Sequence, residues 1–104
     1  MIKYQVSISP ESEKDYESII RYILTEFGDI SAAINIGRKI QARINGLETF
    51  PKAATIREEP ELYKRGIRTL KVDNYSILYR VDDSTQKVEI IRITYGRRDL
   101  NSLF

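Results

Sequence analysis

The sequence predicts an α+β domain of order β-α-α-β-β-β, in which an N-terminal strand and a helix hairpin pack on one face of a largely antiparallel sheet. Three observations lead to this fold class: an alternating N-terminal run, two amphipathic helical patterns, and three closely spaced β-type runs near the C-terminus. Helices grouped on one side of such a sheet bury the apolar face of both layers. With 104 residues, the chain has the length of a single domain, residues 1–104.

The N-terminal part reads as a strand that leads directly into a helix. Ile2–Ile8 alternates apolar and polar residues, which is the pattern of a half-buried strand. Ser9 and Pro10 then predict a helix start, because serine is a favoured N-cap and proline fits the first helical position. The helix is predicted to stop at Gly28. Its apolar stripe consists of Tyr16, Ile19, Ile20, Ile23 and Phe27.

A second helix is predicted to start near Ser31 and to end at Phe50-Pro51. Its buried face consists of Ala33, Ile36, Ile40, Ile44 and Leu47. Gly37 lies within this pattern although glycine weakens a helix, so we interpret it as a point of close approach between the two helices. Because only a few residues join the helices, they should form an antiparallel hairpin. Residues 51–65 show no period and are predicted to be a surface loop.

The C-terminal part predicts a three-stranded meander. The runs are Ile67–Val72, Tyr75–Asp82 and Lys87–Tyr95, and the short polar connections between them favour hairpins. In the middle strand, the predicted core face consists of Tyr75, Ile77, Tyr79 and Val81. The opposite face consists of Ser76, Leu78, Arg80 and Asp82. The mixed character of this second face predicts exposure to solvent or to a partner. Both registers of the last strand are apolar, so the sequence leaves its core face open.

The amino-acid composition excludes several kinds of functional site. The chain has no cysteine and no histidine, so disulfides, a thiolate nucleophile and a histidine-ligated metal site are excluded. We predict no metal and no cofactor, and any acid–base step would need Asp, Glu, Lys or Tyr. No apolar run approaches the roughly 20 residues of a membrane span, and the N-terminus lacks a signal-peptide layout. Together with the absence of cysteine, these features predict a cytoplasmic protein with no membrane contact.

Positive charge is concentrated near the C-terminus, although the net charge is only +2. The cations there are Lys64, Arg65, Arg68, Lys71, Arg80, Arg92, Arg97 and Arg98. Arg97 and Arg98 read either as solvated residues paired with nearby carboxylates or as a fork for phosphate or a partner carboxylate. Arg80 and Arg92 are expected to face each other on adjacent strands, where bridging by a carboxylate such as Glu89 is the simplest explanation.

Two further groups have a simple structural explanation. Four tyrosines could stack on nucleobases: Tyr63, Tyr75, Tyr79 and Tyr95. Aromatic residues are also favoured in strands and cores, where we place Tyr75 and Tyr79. The acidic residues Glu58, Glu59 and Glu61 resemble a metal-binding cluster only superficially, and we interpret them as part of a solvated loop.

Motifs along nearly the whole chain carry a family resemblance. They are Tyr4-x-Val6-x-Ile8-Ser9-Pro10-x-x-Glu13-x-Asp15, Leu47-Glu48-x-Phe50-Pro51, Gly66-Ile67-Arg68-x-Leu70-x-Val72-x-Asn74-Tyr75, Tyr79-Arg80-Val81-Asp82 and Tyr95-Gly96-Arg97-Arg98-Asp99. In their order and spacing, these motifs resemble the RelE/ParE superfamily of bacterial type II toxins. The resemblance implies a small cytoplasmic toxin that a cognate antitoxin neutralises and that contacts DNA only through the antitoxin.

Two branches of this superfamily act in different ways. RelE-like toxins cleave messenger RNA in the ribosomal A site, whereas ParE-like toxins inhibit DNA gyrase and are not known as nucleases. RelE-like members place an arginine after the first tyrosine of the middle strand, where this chain has Ser76. A basic pair of that branch corresponds to Arg68 and Lys71. Its last positions correspond to Arg98 and to a tail residue that is Phe104 here. RNA cleavage also needs a proton acceptor and a proton donor, which this set lacks.

The resemblance is therefore closer to the ParE branch, and the leading hypothesis is a gyrase inhibitor that an antitoxin keeps inactive. The predicted contacts with the target or the antitoxin are Arg80, Arg92, Arg97, Arg98 and Phe104. One alternative is a RelE-like mRNA interferase that acts on the ribosome through Arg68, Lys71 and Arg98. Another is an inactive toxin fold that serves as a binding partner. We also expect the antitoxin to bind across the sheet and the helix hairpin, and the isolated chain to bind nucleic acid weakly.

Overall fold

Residues 2–96 are described by the structure, a computed structural model, as one four-stranded sheet with three helices. The elements are β1 (Gln5–Ile8), α1 (Pro10–Phe27), α2 (Ile30–Gly46), α3 (Pro60–Lys64), β2 (Arg68–Val72), β3 (Tyr75–Asp82) and β4 (Lys87–Tyr95). The sheet order is β1-β4-β3-β2. β2, β3 and β4 form the antiparallel meander, and β1 pairs with β4 in parallel. The predicted α+β fold class is confirmed.

The start of α1 is fixed to the sheet by two serines. Ser9 caps the helix, because its hydroxyl accepts a hydrogen bond from the backbone N–H of Ser12. Ser12 is fully buried and donates its hydroxyl to the carbonyl of Ile90 in β4, at 3.1 Å. Gly28 ends the helix with a positive φ of 60°, which glycine adopts without strain. The predicted bounds of this helix are therefore confirmed.

The second helix packs closely on the first. A β-carbon added at Gly37 would lie only 2.7 Å from the hydroxyl oxygen of Tyr16, which confirms the predicted close approach. Asp29 is the N-cap of α2, so the helix begins one residue earlier than predicted. It also ends earlier, at Gly46 rather than at Phe50, because the chain turns immediately after it.

The main core lies between the helix hairpin and one face of the sheet. Its buried members are Ile23, Ala33, Ile36, Ile40, Ile44, Leu47, Leu70, Val72, Ile77, Tyr79, Val88, Ile90 and Ile93. These residues include the predicted buried face of α2. Phe27 was predicted to belong to the stripe of α1, but it is 69% exposed as the last residue of that helix. Ile2 is also exposed, since β1 begins only at Gln5.

A second, smaller core covers part of the opposite face of the sheet. Leu62, in α3, is fully buried against Ile67 and Leu78, with Ile91 packed beside them. The prediction of an open loop over residues 51–65 is therefore wrong for α3, which is too short to show a helical period. The face of β3 that was predicted to be exposed is buried at Leu78, because Leu62 of α3 packs against it.

A β-bulge in β4 explains why both registers of that strand are apolar. Leu78 pairs with Arg92, whereas the next residue, Tyr79, pairs with Ile90, so Ile91 is an extra residue. Ile90 therefore belongs to the core under the helices, and Ile91 packs against the second core. Among the described residues, no helix is long and apolar enough to cross a membrane.

Candidate functional site

Arg68 anchors the segment that precedes α3. Its guanidinium donates a 2.6 Å hydrogen bond to the carbonyl of Ala54, and the N–H of Ala54 donates to the hydroxyl of Tyr79 at 3.2 Å. Arg68 and Tyr79 are register partners on β2 and β3, so side chains from neighbouring strands hold the two peptide groups that flank Ala54. Burial raises the pKa of Tyr79. Arg68 therefore already has a structural role at the edge of the sheet.

Lys71 lies on the other side of β2 from Arg68. Side chains three positions apart on a strand point to opposite faces, and Leu70 between the two contributes to the main core. The ammonium of Lys71 donates a 3.0 Å hydrogen bond to the hydroxyl of Ser76, which is only 3% exposed. The structure thus does not bring Arg68 and Lys71 together as a basic pair.

Arg80 and Arg92 do not face each other, contrary to our expectation. The bulge shifts the register, so that Arg80 lies opposite Glu89 and Arg92 lies opposite Leu78. Arg80 pairs with Glu89 at 3.4 Å, and both side chains are half exposed. An exposed pair of this kind contributes little to stability and leaves Arg80 accessible to a partner.

Arg92 makes a tighter contact, with Asp15 of α1. Its Nε and Nη2 atoms donate to the two carboxylate oxygens at 2.7 and 3.0 Å, and the backbone N–H of Ile93 donates to the same carboxylate at 3.0 Å. The Arg92 and Asp15 side chains are only 28% and 16% exposed. The hydrogen bonds that Arg92 donates to the Asp15 carboxylate raise the pKa of Arg92. This pair fastens α1 to the edge of β4 beyond the end of β1.

A groove beside this pair is lined by three tyrosines from three elements, and we name it the tyrosine groove. It is formed by Tyr22 of α1, Tyr75 of β3 and Tyr95 of β4, with Arg92 and Asp15 at its border. The rings of Tyr75 and Tyr95 lie 5.2 Å apart. Burial raises the pKa of Tyr75, and its neighbours Tyr95 and Tyr22 add to the effect. Tyrosine is enriched at protein interfaces, so this groove is a candidate contact surface.

A second surface, which we name the hairpin face, is the outer groove between α1 and α2. Its lining includes Tyr16, Ile20, Leu24, Ile30, Ala33, Ile34, Gly37, Arg38, Gln41 and Ala42. Leu24, Ile30 and Ile34 are exposed apolar residues in this groove. The hairpin was predicted as part of the antitoxin surface, but these three exposed residues were not identified, although they fall outside the predicted buried stripes.

Glu59 and Glu61, two of the three acidic residues predicted to be solvated, pair with arginines. Arg57 donates to both carboxylate oxygens of Glu59, which lowers the pKa of Glu59, and Arg65 pairs with Glu61 at 3.2 Å. Within residues 2–96, no group of acidic side chains is arranged to hold a metal ion. The predicted contacts Arg97, Arg98 and Phe104 lie outside the described residues.

The architecture described above is that of the RelE/ParE toxins. A structure of the chromosomal ParDE toxin–antitoxin system of P. aeruginosa aligns with a TM-score of 0.72 at 19% identity, over 91% of this chain and 98% of that chain. The YoeB/ParE toxin of Agrobacterium tumefaciens gives 0.63 at 20% identity, over 89% and 99%. The free RelE toxin of E. coli, in a mutant form, gives 0.63 at 14% identity, over 98% and 90%. At these identities the likeness shows the fold alone.

The family is defined by the sequence itself. Residues 6–100 match the sequence profile of the ParE toxin of the type II toxin-antitoxin system parDE. No curated protein sequence matches the chain significantly. Since the profile spans nearly the whole chain, this protein belongs to the ParE toxin family of type II toxin–antitoxin systems.

Proposed function

We propose that this toxin inhibits DNA gyrase by direct protein–protein contact and that it does not cleave RNA. The observation that carries the proposal is the division of the predicted nuclease cations between the two faces of the sheet. Arg68 holds the Ala54 peptide on one side, and Lys71 is bound to the buried Ser76 on the other. A single phosphate cannot be held by both of these cations in this arrangement.

The chemistry of RNA cleavage supports the same conclusion. Attack by a ribose hydroxyl needs a proton acceptor, a proton donor and cations that stabilise the charge of the transition state. Ser76 occupies the position of the arginine that the resemblance assigns to the nuclease branch, and the chain contains no histidine. Loss of one such charge-stabilising donor typically lowers the rate by a factor of roughly 10²–10³. Inhibition by contact requires none of these groups.

We further propose that a cognate antitoxin covers the hairpin face and part of the sheet in the cytoplasm. The structures with this fold include toxin–antitoxin complexes, among them ParDE of P. aeruginosa and RelBE of E. coli. The exposed Leu24, Ile30 and Ile34 form an apolar groove between two helices, which is the shape that an amphipathic helix fits. An interface much smaller than about 1,000 Å² would contradict a stable pair of this kind.

Two assays run side by side test the proposed target. In the first, purified toxin is added to gyrase and relaxed plasmid, and supercoiling is measured. In the second, the same preparation is added to a translating ribosome, and cleavage of the message is mapped by primer extension. We expect loss of supercoiling and an intact message.

Other outcomes would select one of the alternatives. Codon-specific cuts in the A site that Arg98→Ala abolishes, with supercoiling unchanged, would establish the mRNA interferase. A preparation that binds the antitoxin but acts in neither assay would be an inactive toxin fold. Gyrase inhibition that persists in Lys71→Ala would show that this predicted nuclease cation is dispensable for the activity.

A further inference from the structure

The hairpin face exposes more apolar surface than an isolated chain favours. Leu24, Ile34 and Ile30 are 39%, 49% and 66% exposed, and all three line one continuous groove. Contiguous apolar surface of this kind marks interaction sites in soluble proteins. No described segment of the chain itself covers this surface. It is therefore exposed in a toxin that has no antitoxin bound.

The shape of the face suits a second pair of helices. α1 has 18 residues and α2 has 17, so each helix is about 27 Å long. Ala33 and Gly37 of α2 are buried against α1, and the exposed part of the groove is formed by Leu24, Ile30, Ile34 and Ala42. These exposed side chains form one continuous face that both helices share. Two such hairpins can therefore stack face to face as a layer of four helices.

The charges along the groove have opposite signs on its two sides. Glu13 and Glu17 of α1 line the continuation of the groove, beside Gln41. Arg38 of α2 lines the opposite side. The side chains of Glu13, Glu17 and Arg38 form no hydrogen bond or ion pair with another described residue. They are therefore available to pair across an interface.

We infer that the free toxin forms a weak dimer in which two copies of this chain cover each other's hairpin face. The two-fold axis runs parallel to the helices, so that α1 of one copy lies against α2 of the other. This arrangement places the Glu17 side of one groove beside the Arg38 side of the other, twice in each dimer. An axis across the helices would instead place α1 on α1 and bring the glutamates together, which is unfavourable.

The size of the face predicts the strength of the dimer. A surface about 27 Å long and two helix diameters wide, about 20 Å, buries about 500 Å² on each copy. The total of about 1,000 Å² lies at the low end of specific interfaces, so the dimer should dissociate readily. Because the antitoxin is proposed to cover the same face, the dimer belongs to the free toxin. It does not depend on gyrase being the target.

Sedimentation velocity of the purified toxin, across a wide range of concentrations, tests this inference. We expect a reversible monomer–dimer equilibrium that Ile34→Glu abolishes. Glu17→Arg and Arg38→Glu should each weaken the dimer about tenfold, because each change creates two like-charged contacts. The double variant should restore most of the lost affinity. Glu26→Arg, an exposed charge change on α1 outside the groove, is the matched control and should leave the equilibrium unchanged.

Circular dichroism and thermal unfolding confirm that each variant is folded before it is compared. A toxin that is monomeric at every concentration, or a dimer that Ile34→Glu leaves intact, would overturn the inference. Single charge variants that weaken the dimer without recovery in the double variant would contradict the proposed axis. The supercoiling assay is read separately, so failure of the gyrase proposal would not be mistaken for failure of this one.

Discussion

Arg80 and Arg92 lie on adjacent strands and were predicted to act alike, yet they occupy different environments. Arg92 is held by Asp15 through two hydrogen bonds, in a contact that also satisfies the backbone N–H of Ile93. Arg80 meets Glu89 at 3.4 Å with both side chains half exposed. The first arginine fastens a helix to the sheet, and the second remains available to a partner. Burial and the number of shared hydrogen bonds therefore distinguish a structural cation from a contact cation.

The largest difference in stability between these environments is expected when the carboxylate partner of each arginine is removed. Asp15→Ala leaves Arg92 and the N–H of Ile93 without their acceptor, and it should lower the free energy of unfolding by about 3 kcal/mol. Glu89→Ala is the matched control and should change it by less than about 0.5 kcal/mol. Urea unfolding followed by circular dichroism gives both values. Equal losses in the two variants would show that the two pairs do not differ in the way proposed.

A smaller difference in the free energy of unfolding is expected between substitutions of Arg68, a structural cation, and of Lys71, an exposed one. Arg68→Ala removes a charged donor from the Ala54 carbonyl, at a cost of about 1.5–2 kcal/mol. Lys71→Ala should cost about 0.5 kcal/mol, since water can replace an exposed ammonium. Chemical denaturation measures both. A larger loss for Lys71→Ala than for Arg68→Ala would contradict the anchoring role of Arg68.

Tyr79 gives the Ala54 anchor a dependence on pH. Burial raises the pKa of Tyr79 in the folded state above its unfolded value of about 10. The neutral hydroxyl therefore contributes to the free energy of unfolding at neutral pH, and this contribution is lost as the pH rises through the folded pKa. Tyr79→Phe should cost about 1 kcal/mol at neutral pH through loss of the hydrogen bond from Ala54. The difference from the wild type should narrow above about pH 10. Tyr63→Phe, at an exposed position, is the control.

Unfolding free energies measured from neutral to alkaline pH provide the comparison. A constant gap between Tyr79→Phe and the wild type would contradict the effect of burial on Tyr79.

Substitution of Arg80 should have the smallest effect on folding. Arg80→Ala is expected to change the free energy of unfolding by less than about 0.5 kcal/mol, because its pair with Glu89 is exposed. If Arg80 contacts the target, the same change should weaken gyrase inhibition, and the wild-type inhibition should fall as salt is added. Supercoiling assays at two salt concentrations measure this. Unchanged inhibition by Arg80→Ala would remove Arg80 from the contact surface.

Local signals in the sequence were sufficient for most of the fold. The Ser9-Pro10 cap and Gly28 defined α1, and β-type runs bounded by short polar connections defined β3 and β4 to the residue. These features depend on neighbours along the chain. α3 was missed because five residues carry no period, and its anchor Leu62 is a single buried side chain.

The contacts of the cations could not be predicted in the same way. Asp15 lies 77 positions before Arg92, and their meeting depends on where α1 crosses the edge of β4. The bulge at Ile91 decides that Arg80 meets Glu89, yet an apolar run gives no sign of an extra residue. The exposed residues of the hairpin face could not be predicted for a related reason, since exposure of Leu24 and Ile34 depends on which side of each helix the sheet covers.

The choice between gyrase and the ribosome can be tested most directly in cells. Expression of the toxin without its antitoxin is followed over time by an SOS reporter and by incorporation of labelled amino acids into protein. Inhibition of gyrase predicts that the SOS reporter rises while protein synthesis continues at first. A rapid arrest of protein synthesis with a silent SOS reporter would contradict the account.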